Sequence, residues 1–247
     1  METVTITLKN APALYLEADT VSPDAFAGKT AAKIAELPVF EGNVPSTLGK
    51  YFEISGDAAV TAADTKIIVK GDTKKVKYLG FKMTAGELII EKTADQYVGA
   101  WMKGGELTVE GNAGNYLGAA YRGDWRGMSG GKILIKGNAG SDIGMYMLGG
   151  EIVVNGNADV HVMTHAEGGK TIIKGNAASK LGGQMVDGTI IIFGSIEVMM
   201  PGFKPNGEVE LEVDGTKAKF AHFIGDMGER HKKKKGVVVY GNLYKKI

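Results

Sequence analysis

The chain has 247 residues, with 44% hydrophobic residues, 37 Gly and a formal net charge of +1. That length admits one large domain or two small ones, and the balanced charge argues against nucleic-acid binding through phosphate neutralisation. Cysteine is absent, which removes disulfides, iron–sulfur ligation, Cys–zinc sites and a thiol nucleophile together. No apolar run approaches ~20 residues and no signal-peptide pattern opens the chain, so a soluble, cytoplasmic protein with no membrane contact is expected.

Residues 1–64 do not repeat and are expected to form an N-terminal cap of strands and short helices. Val4–Leu8 and Ala13–Leu16 read as strands. Ser22-Pro23 places a capping residue before a first-turn proline, and Thr30 can cap a short helix running to Leu37.

From 65 to 195 the chain repeats. Glu106-Leu-Thr-Val-Glu-Gly-Asn112 recurs as Lys132-Ile-Leu-Ile-Lys-Gly-Asn138, Glu151-Ile-Val-Val-Asn-Gly-Asn157 and Lys170-Thr-Ile-Ile-Lys-Gly-Asn176, with weaker copies from Lys66, Glu87 and Thr189. The starts at 87, 106, 132, 151, 170 and 189 are spaced 19, 26, 19, 19 and 19. A fixed period near 20 marks stacked repeats. Each unit is a short β-branched strand closed by Gly and a small or polar residue, which excludes helical repeats. The expected fold is all-β: a right-handed parallel β-helix of about seven rungs, each ~19 residues long. The left-handed hexapeptide alternative needs an aliphatic residue at every sixth position, and that pattern is missing.

Stacking turns equivalent residues into columns. Leu107, Ile133, Ile152, Thr171 and Ile190 should face inward, as should Val109, Ile135, Val154, Ile173 and Ile192, and so should Met83, Met102, Met128, Met147 and Met185, with Ala166 where a sixth Met would fall. Asn112, Asn138, Asn157 and Asn176 should form an amide ladder. Glu106, Lys132, Glu151 and Lys170 alternate in sign on the outside, as neighbours on adjacent strands should.

The 26-residue unit holds seven extra residues, placed at Tyr121–Gly127 and expected to leave the stack as a loop. Tyr121, Arg122, Asp124, Trp125 and Arg126 are candidate partner-interface residues, Tyr, Trp and Arg being enriched in hot spots; the other reading is a surface loop with a packed Trp. His161 and His165 stand where other rungs carry variants of Gly-x-x-Met. Two His four apart invite a metal reading, but on strand and turn they need not converge, and no carboxylate completes a ligand set. Hydrogen-bonded or interface histidines are expected instead. Residues 196–247 should form C-terminal cap strands, with Glu208–Val213 and Gly236–Tyr240 closing the stack and Lys232–Lys235 a solvated turn. No P-loop is present, and the Gly-x-Gly patterns recur as rung turns and not within a βαβ unit.

The pattern Gly/Trp-x-x-Met-x-x-Gly-x-Ile/Leu-x-Ile/Val-x-Gly, seen as Gly99-Ala-Trp-Met102-Lys-Gly-Gly105-Glu-Leu107-Thr-Val109-Glu-Gly111, resembles the C subunit of formylmethanofuran dehydrogenase. Further copies run Trp125 to Gly137, Gly144 to Gly156 and Gly182 to Gly194. The Gly80 to Lys92 copy lacks only the last Gly. The Met163 to Gly175 copy departs at Met163, Ala166 and Thr171, a rung expected to be remodelled at a contact. Ser22–Gly28 and Phe40–Asn43 also look like the family, so the resemblance spans nearly the whole chain. The C-terminal β-helix domain of glutamate synthase is similar in its repeated Gly motifs.

The resemblance implies a cytoplasmic complex that reduces CO2 and forms N-formylmethanofuran in methanogenesis, this chain being a non-catalytic scaffold. It implies partners on which the chemistry resides: molybdenum- or tungsten-pterin subunits, iron–sulfur subunits and an amidohydrolase-like subunit with its metal ions. No catalytic, cofactor-binding or metal-binding residue is assigned here. Two alternatives stand beside it, a subunit of the related bacterial formyltransferase/hydrolase complex and a free-standing carbohydrate-active β-helix enzyme.

Overall fold

The computed structural model describes residues 1–121 and 123–247. The architecture is all-β: among the described residues strands dominate, and the helices are three short turns at Pro23–Phe26, Ala31–Ala35 and Leu48–Tyr51. Ser22 caps the first through its hydroxyl, which accepts from the Ala25 N–H, and Thr30 caps the second by accepting from Lys33, as expected of these residue types. The expected helix to Leu37 ends at Ala35, and the expected strand at 13–16 is reduced to Leu16–Glu17.

One 12-stranded sheet organises the chain. Its centre is a parallel block in which Glu2–Leu8, Thr65–Lys70, Glu87–Ile90, Lys103–Val109, Ser129–Ile135, Gly149–Val154, Glu167–Ile173, Asp187–Ile192 and Gly241–Lys246 lie side by side. The register is the one the repeat predicts: Leu107 pairs with Ile133, Ile133 with Ile152, Ile152 with Thr171 and Thr171 with Ile190. The column runs on past the repeat at both ends, to Val4 through Ile67 and to Leu243 through Ile190. Strands assigned to caps therefore continue the parallel stack.

The sheet is mixed, which corrects a purely parallel expectation. Phe52–Ser55 joins one edge antiparallel to the first strand, and the hairpin Lys204–Val213/Thr216–Gly225 joins the other edge antiparallel to Gly241–Lys246. The strand expected at 236–240 is only Val237–Val238, in a small separate hairpin with Lys233–Lys234. Alternate lysines of the four-lysine run are ion-paired: Lys232 with Glu167, and Lys234 with Asp187 at 2.6 Å. A second parallel ladder passes through Ala113, Ala139, Ala158 and Ala177.

The inward columns and the methionine column are buried throughout. The amide ladder forms with a specific geometry: each Asn Oδ1 accepts the backbone N–H of the next Asn, from Asn112 to Asn138, Asn157 and Asn176, at 2.8 Å per step. The last step hands on to Ser195 at 2.9 Å. Outside, Glu151 is clamped between Lys132 at 3.2 Å and Lys170. Not every outward position is polar. Val153, Ile172 and Ile191 are covered by Val213 and Phe220 of the C-terminal hairpin, which explains why the later strands read as unbroken apolar triplets.

The Met163 rung differs from its neighbours inside the core. Gly80, Gly99, Gly144 and Gly182, with φ between +61° and +77°, each precede their column Met by three residues; here Met163 takes that place at φ +55°. A Cβ built on Gly105, Gly131, Gly150 or Gly169 would meet Cε of Met83, Met102, Met128 or Met147 at 2.6–2.8 Å, and one on Gly188 would meet Cε of Met163 at 2.9 Å. Met163 therefore delivers its methyl to the place vacated by Ala166. These two departures compensate one another by volume inside the core.

Candidate functional site

One corner of each repeat is built from left-handed residues. Tyr78, Tyr97, Tyr116, Asp142 and His161 have φ of +62° to +66°, and Lys82, Trp101, Tyr146 and His165 have φ of +57° to +60°. Such backbone costs of order 1 kcal/mol or more for a non-Gly residue. Here it is held by inter-rung hydrogen bonds, such as Tyr97 N–H to Asn115 O and Tyr116 N–H to Ser141 O, both 2.9 Å. The result is two columns of outward side chains. Tyr78 stacks on Tyr97 at 4.8 Å and Tyr97 on Tyr116 at 4.6 Å, while Tyr146 stacks on His165 at 4.6 Å. The tyrosines recur at 78, 97 and 116, the period of the repeat itself, so the signal was present in the sequence but lay outside the strands.

The second column lacks a ring in the 106 rung. Ala120 N–H donates to Met145 O just as Trp101 N–H donates to Ala119 O, so Ala120 occupies the position of Trp101 and Tyr146. The chain leaves the stack after Ala120 and rejoins at Gly127, whose N–H reaches Tyr146 O at 2.7 Å. The seven extra residues thus fall at 121–127, where the spacing places them.

The loop is internally braced. Asp124 accepts from Arg126 Nε at 2.9 Å and Nη2 at 2.8 Å, a bidentate fork. That hydrogen bonding holds the Asp124 carboxyl below its ordinary range. The Arg126 guanidinium lies 5.4 Å from the Trp101 ring centre, with Lys82 Nζ at 4.5 Å and Lys103 Nζ at 5.6 Å from the same ring. Tyr121 folds back on Phe81 at 4.7 Å and Tyr78 at 5.4 Å. Trp125 meets Tyr146 edge-on at 5.3 Å yet remains 72% exposed. A groove of about 330 Å³ opens between the loop and the tyrosine stack.

Of the sequence candidates, Tyr121, Asp124, Trp125 and Arg126 share this loop, and His165 joins it through the Tyr146 stack. Arg122 lies outside the described residues. His161 sits in the other column, its Nδ1 3.5 Å from Asp142. Burial pushes the Asp142 carboxyl up, His161 offsets part of that and Asp159 adds to it. Among the described residues no three His, Asp or Glu side chains converge as a metal centre, and no helix is long and apolar enough to cross a membrane.

Fold and corner together define an all-β repeat protein with an aromatic, loop-bearing face. No family model matches the chain. Over 91 residues it is 42% identical to the C subunit of the tungsten-containing formylmethanofuran dehydrogenase 2 of Methanothermobacter thermautotrophicus, covering 37% of this chain and 34% of that one. Over 94 residues it is 40% identical to the C subunit of the molybdenum-containing formylmethanofuran dehydrogenase 1 of Methanosarcina barkeri, covering 38% and 31%. The chain thus spans about a third of the length of these curated relatives. The C subunit of a further tungsten-containing formylmethanofuran dehydrogenase, from Methanococcus maripaludis, is 36% identical over 148 residues, or 52% and 53% of the two chains. The resemblance carried by the repeat therefore holds, over a shorter sequence span than the motifs alone implied.

The structural likeness is wider. The chain matches one in the X-ray crystal structure of the formyltransferase/hydrolase complex (FhcABCD) from Methylorubrum extorquens in complex with methylofuran, with a TM-score of 0.72, 98% of each chain covered and 20% identity. At that identity the likeness is one of fold.

Proposed function

We propose that this chain is the scaffold subunit of a formylmethanofuran dehydrogenase assembly, a cytoplasmic complex that reduces CO2 and forms N-formylmethanofuran, and that it carries no catalytic residue itself. The observation that carries this reading is the 40–42% identity to the C subunits of both a tungsten- and a molybdenum-containing enzyme. We read the parallel stack as a right-handed β-helix whose repeat spans 65–195, with capping segments 1–64 and 196–247 that each lend it a further parallel strand, a reading supported by two parallel ladders per repeat and the usual hand of parallel crossovers. The partners in this reading are pterin-bearing, iron–sulfur and amidohydrolase-like subunits, which hold the cofactors. The braced loop with an exposed Trp is the contact that best fits them, because large exposed aromatics on a rigid support are typical anchors.

The structural neighbour supports a second reading, a subunit of a formyltransferase/hydrolase complex. Purifying the native assembly and measuring its metals separates the two. The first expects tungsten or molybdenum with iron; the second expects the chain in a complex without them. Oxidoreductase activity in the isolated chain would contradict the scaffold role.

A further inference from the structure

We propose that Asn206 is a site of spontaneous covalent modification, converting in the folded chain to aspartate and isoaspartate through a succinimide, with water as the co-reactant. The Gly207 amide nitrogen attacks Asn206 Cγ, and the new C–N bond closes a cyclic imide. The Cγ–Nδ2 bond breaks, and the proton lost from Gly207 leaves with that nitrogen as ammonia. Water then opens the imide at either carbonyl, giving the two acids. Asparagine followed by glycine closes most readily, because glycine brings no Cβ to crowd its nitrogen and its backbone turns freely.

The sequence holds two such pairs, Asn155-Gly156 and Asn206-Gly207, and the structure separates them. Both asparagines are exposed, so exposure does not decide. Ring closure needs the following nitrogen to swing into a near-attack position on Cγ, and the two backbones differ in their freedom to do so. Gly156 sits in a rung turn between two neighbours: its N–H donates to Gly137 O at 2.9 Å and its carbonyl accepts from Gly175 N–H at 3.0 Å. A Cβ built there would collide with Asn138 Oδ1 and Gly137 O, so moving that peptide disturbs the stack. Asn206 and Gly207 lie instead on the outermost strand of the sheet. Pro205 pairs with Phe223 and Glu208 with Ala221, so the two residues together oppose His222 alone, a bulge at a sheet edge. Gly207 has φ +89°, and nothing lies within 4 Å of a Cβ built on it. Asn206 Nδ2 reaches His222 Nδ1 at 3.1 Å, a contact that engages the nitrogen that departs and not the peptide that moves. The four ladder asparagines are each followed by alanine, and their Oδ1 atoms are already accepting from the next rung. The product sets a new carboxylate on an edge strand that already carries Glu208, Glu210 and Glu212, and isoaspartate also lengthens the main chain there.

The test incubates the full chain in mildly alkaline buffer, folded and in denaturant, and maps its peptides over time by mass spectrometry with electron-transfer fragmentation, which distinguishes aspartate from isoaspartate. In the folded chain Asn206 should convert at least about tenfold faster than Asn155, because opening an edge bulge costs less than opening the stack. In denaturant, where neither backbone is held, the two rates should agree within about twofold. Asn206→Gln, which would have to close a larger ring, should show no conversion at that position and an unchanged thermal midpoint. Equal rates at the two asparagines of the folded chain, faster conversion at Asn155, or an Asn206 that converts only after denaturation would overturn the proposal. It stands apart from the scaffold reading, which none of these outcomes touches.

Discussion

Thr171 is the one inward position of its column with a hydroxyl, and its Oγ1 is buried without a hydrogen-bond partner. Its neighbours in register are Ile152 and Ile190, so Thr171→Val removes an unsatisfied polar atom at constant shape. It should raise stability by about 1 kcal/mol, read as a higher denaturant midpoint at unchanged slope. Ile152→Asp should do the opposite, burying an unpaired carboxylate at a cost of several kcal/mol. Outside the core, Glu151 is worth less: Glu151→Gln should cost roughly 0.5–1 kcal/mol. Burial pushes the Glu151 carboxyl up, but hydrogen bonds from Lys170 and Lys132 outweigh this and leave it below its ordinary range. The clamp's contribution is therefore complete above the unfolded carboxylate range, near ~4.3, and is lost as pH falls through the lower folded value. Acid unfolding of Glu151→Gln should show a shallower limb in that window; identical limbs would contradict the clamp. The inward columns were legible because strand alternation and a 19-residue period fix them together. The Met163–Ala166 exchange was visible only as a departure, since its resolution depends on a left-handed backbone and a shared cavity.

At the scale of elements, the loop and the C-terminal hairpin show what a repeat period does and does not reveal. Removing 121–127 restores the 19-residue spacing, so the columns at Leu107/Ile133 and Val109/Ile135 keep their alignment and the stack should fold. Tyr121 packs on Phe81 and Tyr78, however, so its loss should lower stability by about 1–2 kcal/mol, while assembly with partners should fall much further. Removing six or eight residues instead moves the alternation by one and turns apolar side chains outward. Thermal midpoints beside recovery in pulled-down complex distinguish these outcomes, and an unfolded seven-residue deletion would make the loop structural. The insertion was legible from arithmetic alone. The hairpin over Val153, Ile172 and Ile191 was not, because alternation assigns those residues outward and says nothing of a later segment returning to cover them.

At the scale of the molecule, the chain presents a rigid stack with one interrupted corner. The tyrosine stack, the Tyr146–His165 pair and the braced loop occupy that corner, where buried and half-buried rings support the exposed Trp125. In the proposed scaffold role this is the face offered to partner subunits. The most direct measurement is purification of the native protein under mild conditions, with identification of its partners and metal analysis of the same fraction. The account predicts that the chain elutes with pterin-bearing, iron–sulfur and amidohydrolase-like subunits, in a fraction containing tungsten or molybdenum together with iron. A chain that elutes alone, or that carries the catalytic activity by itself, would contradict it.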